Sequence, residues 1–192
     1  MKKIAWLDLE TSGLDPIKNG IVQAAFIIDI EGEVVAEREF FLNPTGKELS
    51  PEALEVHGIT AETIATYHPA IAVKAEIARF LSAFVDKFNR ADKLTIGGYN
   101  VGFDISFLEQ LWADSGDKYF YSFFDHFPVD PFKIQPFLEW AGLSAPPEKR
   151  NLSALATHYG LALEDAHDAM ADIRTTRALA LKMCESIKGE RA

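Results

Sequence analysis

A chain of 192 residues that is 48% hydrophobic can bury a sizeable core, and its length favours one domain over 1–192, with 188–192 as a frayed tail. A formal net charge of -10 excludes a broad basic surface that grips nucleic acid non-specifically, so a polyanionic substrate has to be held by local contacts. The lone cysteine, Cys184, excludes an internal disulfide or a cysteine-based zinc site and points to a reducing, cytoplasmic setting. Lys2 and Lys3 precede an apolar run as in a signal peptide, but Asp8 and Glu10 interrupt it short of the about 7–15 apolar residues required. No stretch is long enough to span a membrane.

Residues 3–9 read as a first strand, and 21–28 and 34–42 as two more around a hairpin turn at Glu31-Gly32-Glu33. In 74–88 the residues Ile77, Phe80, Leu81, Phe84 and Val85 recur at three-and-four spacing, which predicts a helix with one buried face. A short buried strand follows at 94–98, then a helix over 104–112 with Ile105, Leu108, Leu111 and Trp112 on one stripe. The proline-rich stretches at 128–131 and 146–147 read as loops, and a long final helix is expected from about 166 to 187. Strands in front with alternating elements behind predict an α/β fold, a mixed sheet flanked by helices.

The first strand ends in Asp8-Leu9-Glu10. Side chains alternate along a strand, so both acids point to one face with alpha carbons about 6.6 Å apart. Two carboxylates so close raise each other's pKa unless a cation sits between them, and hard oxygen ligands suit Mg²⁺ or Mn²⁺. A third acid, Asp104, opens a helix directly after a core strand, at the kind of strand end that borders ligand crevices in α/β sheets. A fourth group is His167-Asp168-Ala169-Met170-Ala171-Asp172. His167 and Asp172 are about 140° apart if both are helical, so His167 belongs at the helix start or just before it. Asp168 shares the face of Asp172, and spacing alone does not choose between them.

Taken together, D-L-E-T-S-G at 8–13, H-G-I-T at 57–60, N-x-x-F-D-x-x-F-L at 100–108 and H-D-A-M-A-D at 167–172 resemble the DEDDh, or DnaQ-like, 3′-5′ exonucleases over about residues 3–183. The resemblance implies a ribonuclease H-like fold, with a five-stranded mixed sheet between helices. It implies two divalent ions, Mg²⁺ or Mn²⁺, held by Asp8, Glu10, Asp104 and Asp172, with His167 as the base. By the same resemblance Thr11, Gly13 and Leu14 contact the terminal nucleotide, and Asn100 and Phe103 its sugar and base. The implied activity is release of 5′-mononucleotides from 3′ ends of nucleic acid, with single-stranded or frayed DNA favoured and RNA as the alternative. A replication or repair protein would be the protein partner. A non-catalytic docking subunit of a polymerase and a phosphodiesterase for small nucleotides are the competing readings.

Other polar and aromatic features read as structural. His57 fits a supporting role near the site, and His68, His126 and His158 have no acid at ligand spacing. Tyr119-Phe120-Tyr121 and Phe123-Phe124 lack interleaved Lys or Arg, so an apolar layer is expected there rather than a base-stacking platform. Asp125 and Asp130 fall in an expected loop and strand start, Asp165 is expected to cap the last helix, and Asp168 reads as a solvated first-turn acid.

Overall fold

The computed structural model describes residues 2–162 and 168–189. Three antiparallel strands, β1 (Lys3–Thr11), β2 (Ile21–Ile30) and β3 (Glu33–Asn43), form the expected meander. The turn between β2 and β3 is two residues, Glu31 and Gly32, both at positive φ (57° and 93°), the backbone that lets a tight hairpin follow strand twist. β4 (His68–Pro69) adds to the outer side of β3, and β5 (Thr95–Gly97) runs parallel to β1. The sheet order is β4-β3-β2-β1-β5, so the mixed five-stranded sheet is present with β1 inside it.

The nine buried residues that open β2 show why it lies between layers. Its Ala24, Phe26 and Ile28 join Ala5, Leu7 and Leu9 of β1 under α3 (Ala70–Leu81) and α4 (Gly102–Asp114). On the other face, Ala25 and Ile27 join Trp6 against α7 (Ala169–Gly189). Each large buried apolar side chain contributes about 1.5–3 kcal/mol, enough in sum to hold β1 in place whatever its polar end costs. A smaller cluster of Leu138, Leu155, Leu179 and Met183 packs α5 (Pro131–Trp140) and α6 (Leu152–His158) on the second half of α7. No helix among the described residues is long and apolar enough to cross a membrane.

Several elements differ from the sequence expectation. The helix predicted over 74–88 is α3 at 70–81. It stops where the Ser82 hydroxyl turns back to the Ala78 carbonyl at 2.7 Å, and Val85 is buried from the irregular segment after the 82–84 turn, not from a helix. The 128–131 stretch is not a loop throughout. Asp130 caps α5, accepting from the Phe132 N–H at 3.1 Å, and Pro131 takes the first helical position, where its missing N–H costs nothing, so Asp130 does not start a strand. Two short helices, α1 (Pro51–His57) and α2 (Ala61–Ala65), lie where no periodicity announced them. The H-G-I-T motif is their junction: Gly58 ends α1 at φ 72°, and the Thr60 hydroxyl accepts from the Thr63 N–H to start α2.

Candidate active site

The face of β1 that carries Trp6 under α7 becomes acidic two residues later. Asp8 and Glu10 emerge there, as the period of two requires, and the first turn of α7 brings Asp172 to them. One carboxylate oxygen from each of Asp8, Glu10 and Asp172 lies within 4.8 Å of the others. Asp104 enters from α4 and is almost fully buried. It accepts from the Leu9 backbone N–H at 3.1 Å, a donor on β1 beyond the last residue paired with β5. Two glycines make room for this approach. A Cβ on Gly97 would sit 2.4 Å from the Trp6 ring, and one on Gly98 would sit 2.8 Å from the Leu7 carbonyl oxygen.

Electrostatics at the cluster are dominated by burial and by the charges of neighbouring acids. Burial first, then the charges of Asp104, Glu10 and Asp172, drive the Asp8 pKa well above the usual carboxylate range. Burial and the Asp172 charge push Glu10 up to about 7. Asp104 rises to about 8, chiefly by burial, despite the hydrogen bond from Leu9 that lowers it. Among the described residues no Lys or Arg forms an ion pair with Asp8, Glu10 or Asp104. A donor set of hard carboxylate oxygens, close together and short of positive charge, fits a divalent cation of the Mg²⁺ or Mn²⁺ class.

His167 lies outside the described residues, as does Asp165, the expected helix cap, together with the expected helix start at 166. Among the described residues Asp168 does the capping: its carboxylate accepts from the Ala171 N–H at 3.1 Å, and its carbonyl from the Asp172 N–H at 2.9 Å. Asp168 is exposed and also accepts from the Gln23 amide at 3.3 Å, which ties the helix start to β2 beside Glu10.

The other expected site residues surround the cluster. Thr11 is buried, its hydroxyl donating to the Gly13 carbonyl at 2.8 Å, while Leu14 is 84% exposed on the loop that follows. Asn100 is exposed at a positive φ of 52°, a backbone that Asn tolerates, and its N–H donates to Asp130 at 2.9 Å. Phe103 is half-buried with its ring on Phe107, so part of it packs into the core. The role of Asp130 in holding Asn100 went unread in the sequence, although an Asp before a Pro is a helix-start signal. His57 supports the neighbouring loop: its Nδ1 accepts from the Ile59 N–H at 3.0 Å, burial lowers its pKa, and its buried Nε2 lies near the Thr11 backbone without a well-formed hydrogen bond.

The family model for exonucleases named RNase_T matches residues 5–180. The chain belongs to this exonuclease family. It is thus a DnaQ-like 3′-5′ exonuclease, a hydrolase of the nucleic-acid backbone. This exonuclease chain is 27% identical over 185 residues to an oligoribonuclease of Colwellia psychrerythraea, covering 94% of this chain and 96% of that one. It is 30% identical over 173 residues to a PolC-type DNA polymerase III of Streptococcus pneumoniae, but spans only 10% of that relative's length. Among solved structures, the zinc-bound E. coli exonuclease I complex with single-stranded DNA superposes with a TM-score of 0.80 at 23% identity, over 98% of this chain and 41% of that one. That likeness establishes the ribonuclease H-like fold.

Proposed function

We propose that this exonuclease removes 5′-mononucleotides one at a time from the 3′ end of single-stranded or frayed DNA, with two Mg²⁺ or Mn²⁺ ions held by Asp8, Glu10, Asp104 and Asp172. The observation that carries the reading is the gathering of Asp8, Glu10 and Asp172 within 4.8 Å, with Asp104 pinned beside them on the Leu9 N–H. Bound divalent cations supply Lewis-acid stabilisation of the oxygens at phosphorus and lower the pKa of water. The chain's residues do the rest. Asp8 and Glu10 are held rigidly because β1 is paired on both sides up to Trp6 and with β2 beyond it. Asp172 is set by the first turn of α7, which the Asp168 cap fixes. His167, immediately before that cap in sequence, is assigned the proton from the attacking water, a role for which an ordinary imidazole pKa suffices.

Thr11, Gly13 and Leu14 on one side, and Asn100 and Phe103 on the other, are assigned to the terminal nucleotide. The similarity to the exonuclease I complex with single-stranded DNA and to a polymerase relative supports a DNA substrate. A second reading, trimming of RNA 3′ ends, is favoured by the oligoribonuclease relative, which this chain matches almost end to end. A non-catalytic docking role is disfavoured, because a binding module gains nothing from four acids held together at an electrostatic cost.

The test is digestion of matched 5′-labelled DNA and RNA strands with single-stranded, paired and mismatched 3′ ends. Stepwise shortening in Mg²⁺ that Asp8→Ala abolishes is the expected result, and the faster series names the substrate. If the wild-type protein leaves every 3′ end intact in both Mg²⁺ and Mn²⁺, the reading fails.

A further inference from the structure

At the end of the sheet opposite the carboxylates, a groove of about 1210 Å³ opens between the C-terminal half of α3, the turns around 87–93 and the 117–127 segment. Five basic side chains, Arg79, Lys87, Arg90, Lys93 and Lys118, line it against two acids, in a chain whose net charge is -10. Both acids are already engaged. Asp117 pairs with the buried Lys74, and Asp125 accepts from the Thr95 hydroxyl at 2.6 Å and the Phe127 N–H at 2.9 Å. Arg79, Lys87, Arg90 and Lys118 are exposed and form no ion pair among the described residues.

Three aromatic rings stand in solvent around the same groove: Phe88 is 86% exposed, Tyr119 74% and Phe127 82%. The sequence expectation for 119–124 is met only in part. Phe120, Phe123 and Phe124 do form an apolar layer in the core, but Tyr119 and Tyr121 turn outward, and cations come to them from α3 and from 87–93. Exposed rings beside cations that form no ion pair among the described residues, one of them, Lys87, lying 5.3 Å over the Phe88 ring, have the composition of a single-strand binding surface, in which cations follow the backbone and bases stack on the rings.

A continuous piece of backbone links this groove to the carboxylates. Residues 124–130 run parallel to β5 along its outer edge, bridging Leu94 to Phe124 and Gly97 to Val129, and end at Asp130, which holds Asn100. Register with β1 sets the distance. Lys93 falls two positions before Thr95, the partner of Ile4, so Asp8 and Glu10 lie about 20–26 Å further along at about 3.3 Å per residue. Stacked nucleotides rise about 3.4 Å each, so roughly six to eight of them span that gap.

We infer that this groove is a docking site for single-stranded nucleic acid and holds the 5′-ward part of the strand whose 3′ end lies at Asp8 and Glu10. The inference rests on the exonuclease reading of the acidic site. It extends that reading by giving the protein a second contact with its substrate and a dependence on strand length.

Two variants test it, both made at exposed side chains away from the acids: Lys87→Ala/Arg90→Ala/Lys118→Ala, and Phe88→Ala/Tyr119→Ala. Each is compared with wild type in hydrolysis of a dinucleotide and of a DNA strand of about 20 nucleotides. Binding of the long strand is also followed by fluorescence anisotropy in EDTA over a range of salt. The KM for the long strand is expected to rise about tenfold or more in either variant, with kcat and dinucleotide hydrolysis unchanged. In the cation variant the plot of log affinity against log salt becomes shallower by about 2, from three lost phosphate contacts at about 0.7 each, while the aromatic variant keeps the wild-type slope. Unchanged long-strand KM and binding in both variants would overturn the inference and leave the groove to an acidic protein partner. Should wild type hydrolyse neither substrate, the exonuclease reading fails instead, and the salt slope in EDTA decides the groove by itself.

Discussion

At the start of β1, Lys3 donates to the Phe84 carbonyl at 2.7 Å and to Asp92 at 2.5 Å, whereas at its far end Asp8 and Glu10 face further acids and, among the described residues, no Lys or Arg pairs with either. One strand therefore carries a charge compensated by its own chain and a pair of charges that no described Lys or Arg compensates. The difference separates the structural from the chemical end. Lys3 holds down the turns that follow α3, and the Asp92 pKa is lowered first by the hydrogen bond from the Asp86 N–H and then by that from Lys3. Asp8 and Glu10 are pushed the other way, chiefly by burial, and so are poised to gain from an added cation.

The largest expected contrast is in activity. Removing a carboxylate at the acidic end, as in Glu10→Ala or Asp172→Ala, should lower kcat in Mg²⁺ by about 10³-fold or more, the equivalent of about 4 kcal/mol of lost transition-state stabilisation. Lys3→Ala should leave kcat within about twofold. Steady-state kinetics on a labelled oligonucleotide reads both, and a severe kcat loss in Lys3→Ala would erase the distinction.

Metal and pH come next. The folded pKa values of Asp8, Glu10 and Asp104 lie above those of the unfolded chain, with Glu10 at about 7 and Asp104 at about 8. The folded state therefore binds more protons between roughly pH 4 and pH 8, and stability falls as pH rises through that window. From Glu10 alone the chelated protein should lose on the order of 2 kcal/mol between about pH 5 and about pH 8, and Mn²⁺ at the higher pH should restore it. Urea unfolding at the two pH values, with and without Mn²⁺, checks this. A metal-free protein more stable at the higher pH contradicts it.

Single substitutions should then change stability in opposite directions at the two ends. Asp8→Asn removes a repelled charge and should stabilise the metal-free protein by about 1–2 kcal/mol while abolishing activity, a trade of stability against function. Lys3→Ala should destabilise by about 1 kcal/mol or less, as expected for a largely shielded pair near the surface. Thermal unfolding in EDTA gives both signs, and destabilisation by Asp8→Asn would show that the acids are compensated after all.

The site was legible where spacing alone implies geometry. Asp8 and Glu10 share a face because a strand repeats every two residues, and Asp104 at a helix start after β5 follows from the change of periodicity at 98–104. Elements announced by caps instead of periodicity were harder to see. Ser50-Pro51, Asp130-Pro131 and Asn151 start α1, α5 and α6, helices of seven, ten and seven residues in which an apolar repeat barely develops. The end of α3 was misplaced because Phe84 and Val85 continue the apolar spacing, and only the backbone turn at Ser82 shows that the helix has stopped.

By itself the sequence determined the α/β character and the pairing of Asp8 with Glu10 on one face, because each rests on residues a few positions apart whose relation is set by strand or helix period, while the family was legible only from motifs spread over 8–172 taken together. Only the tertiary structure decided that Asp172 meets Asp8 and Glu10, that Asp104 bonds to Leu9, and that the cations of 79–93 stand beside Tyr119 and Phe127. Those meetings join segments tens of residues apart, and what brings them together is the packing of helices on both faces of one sheet, which no local pattern encodes.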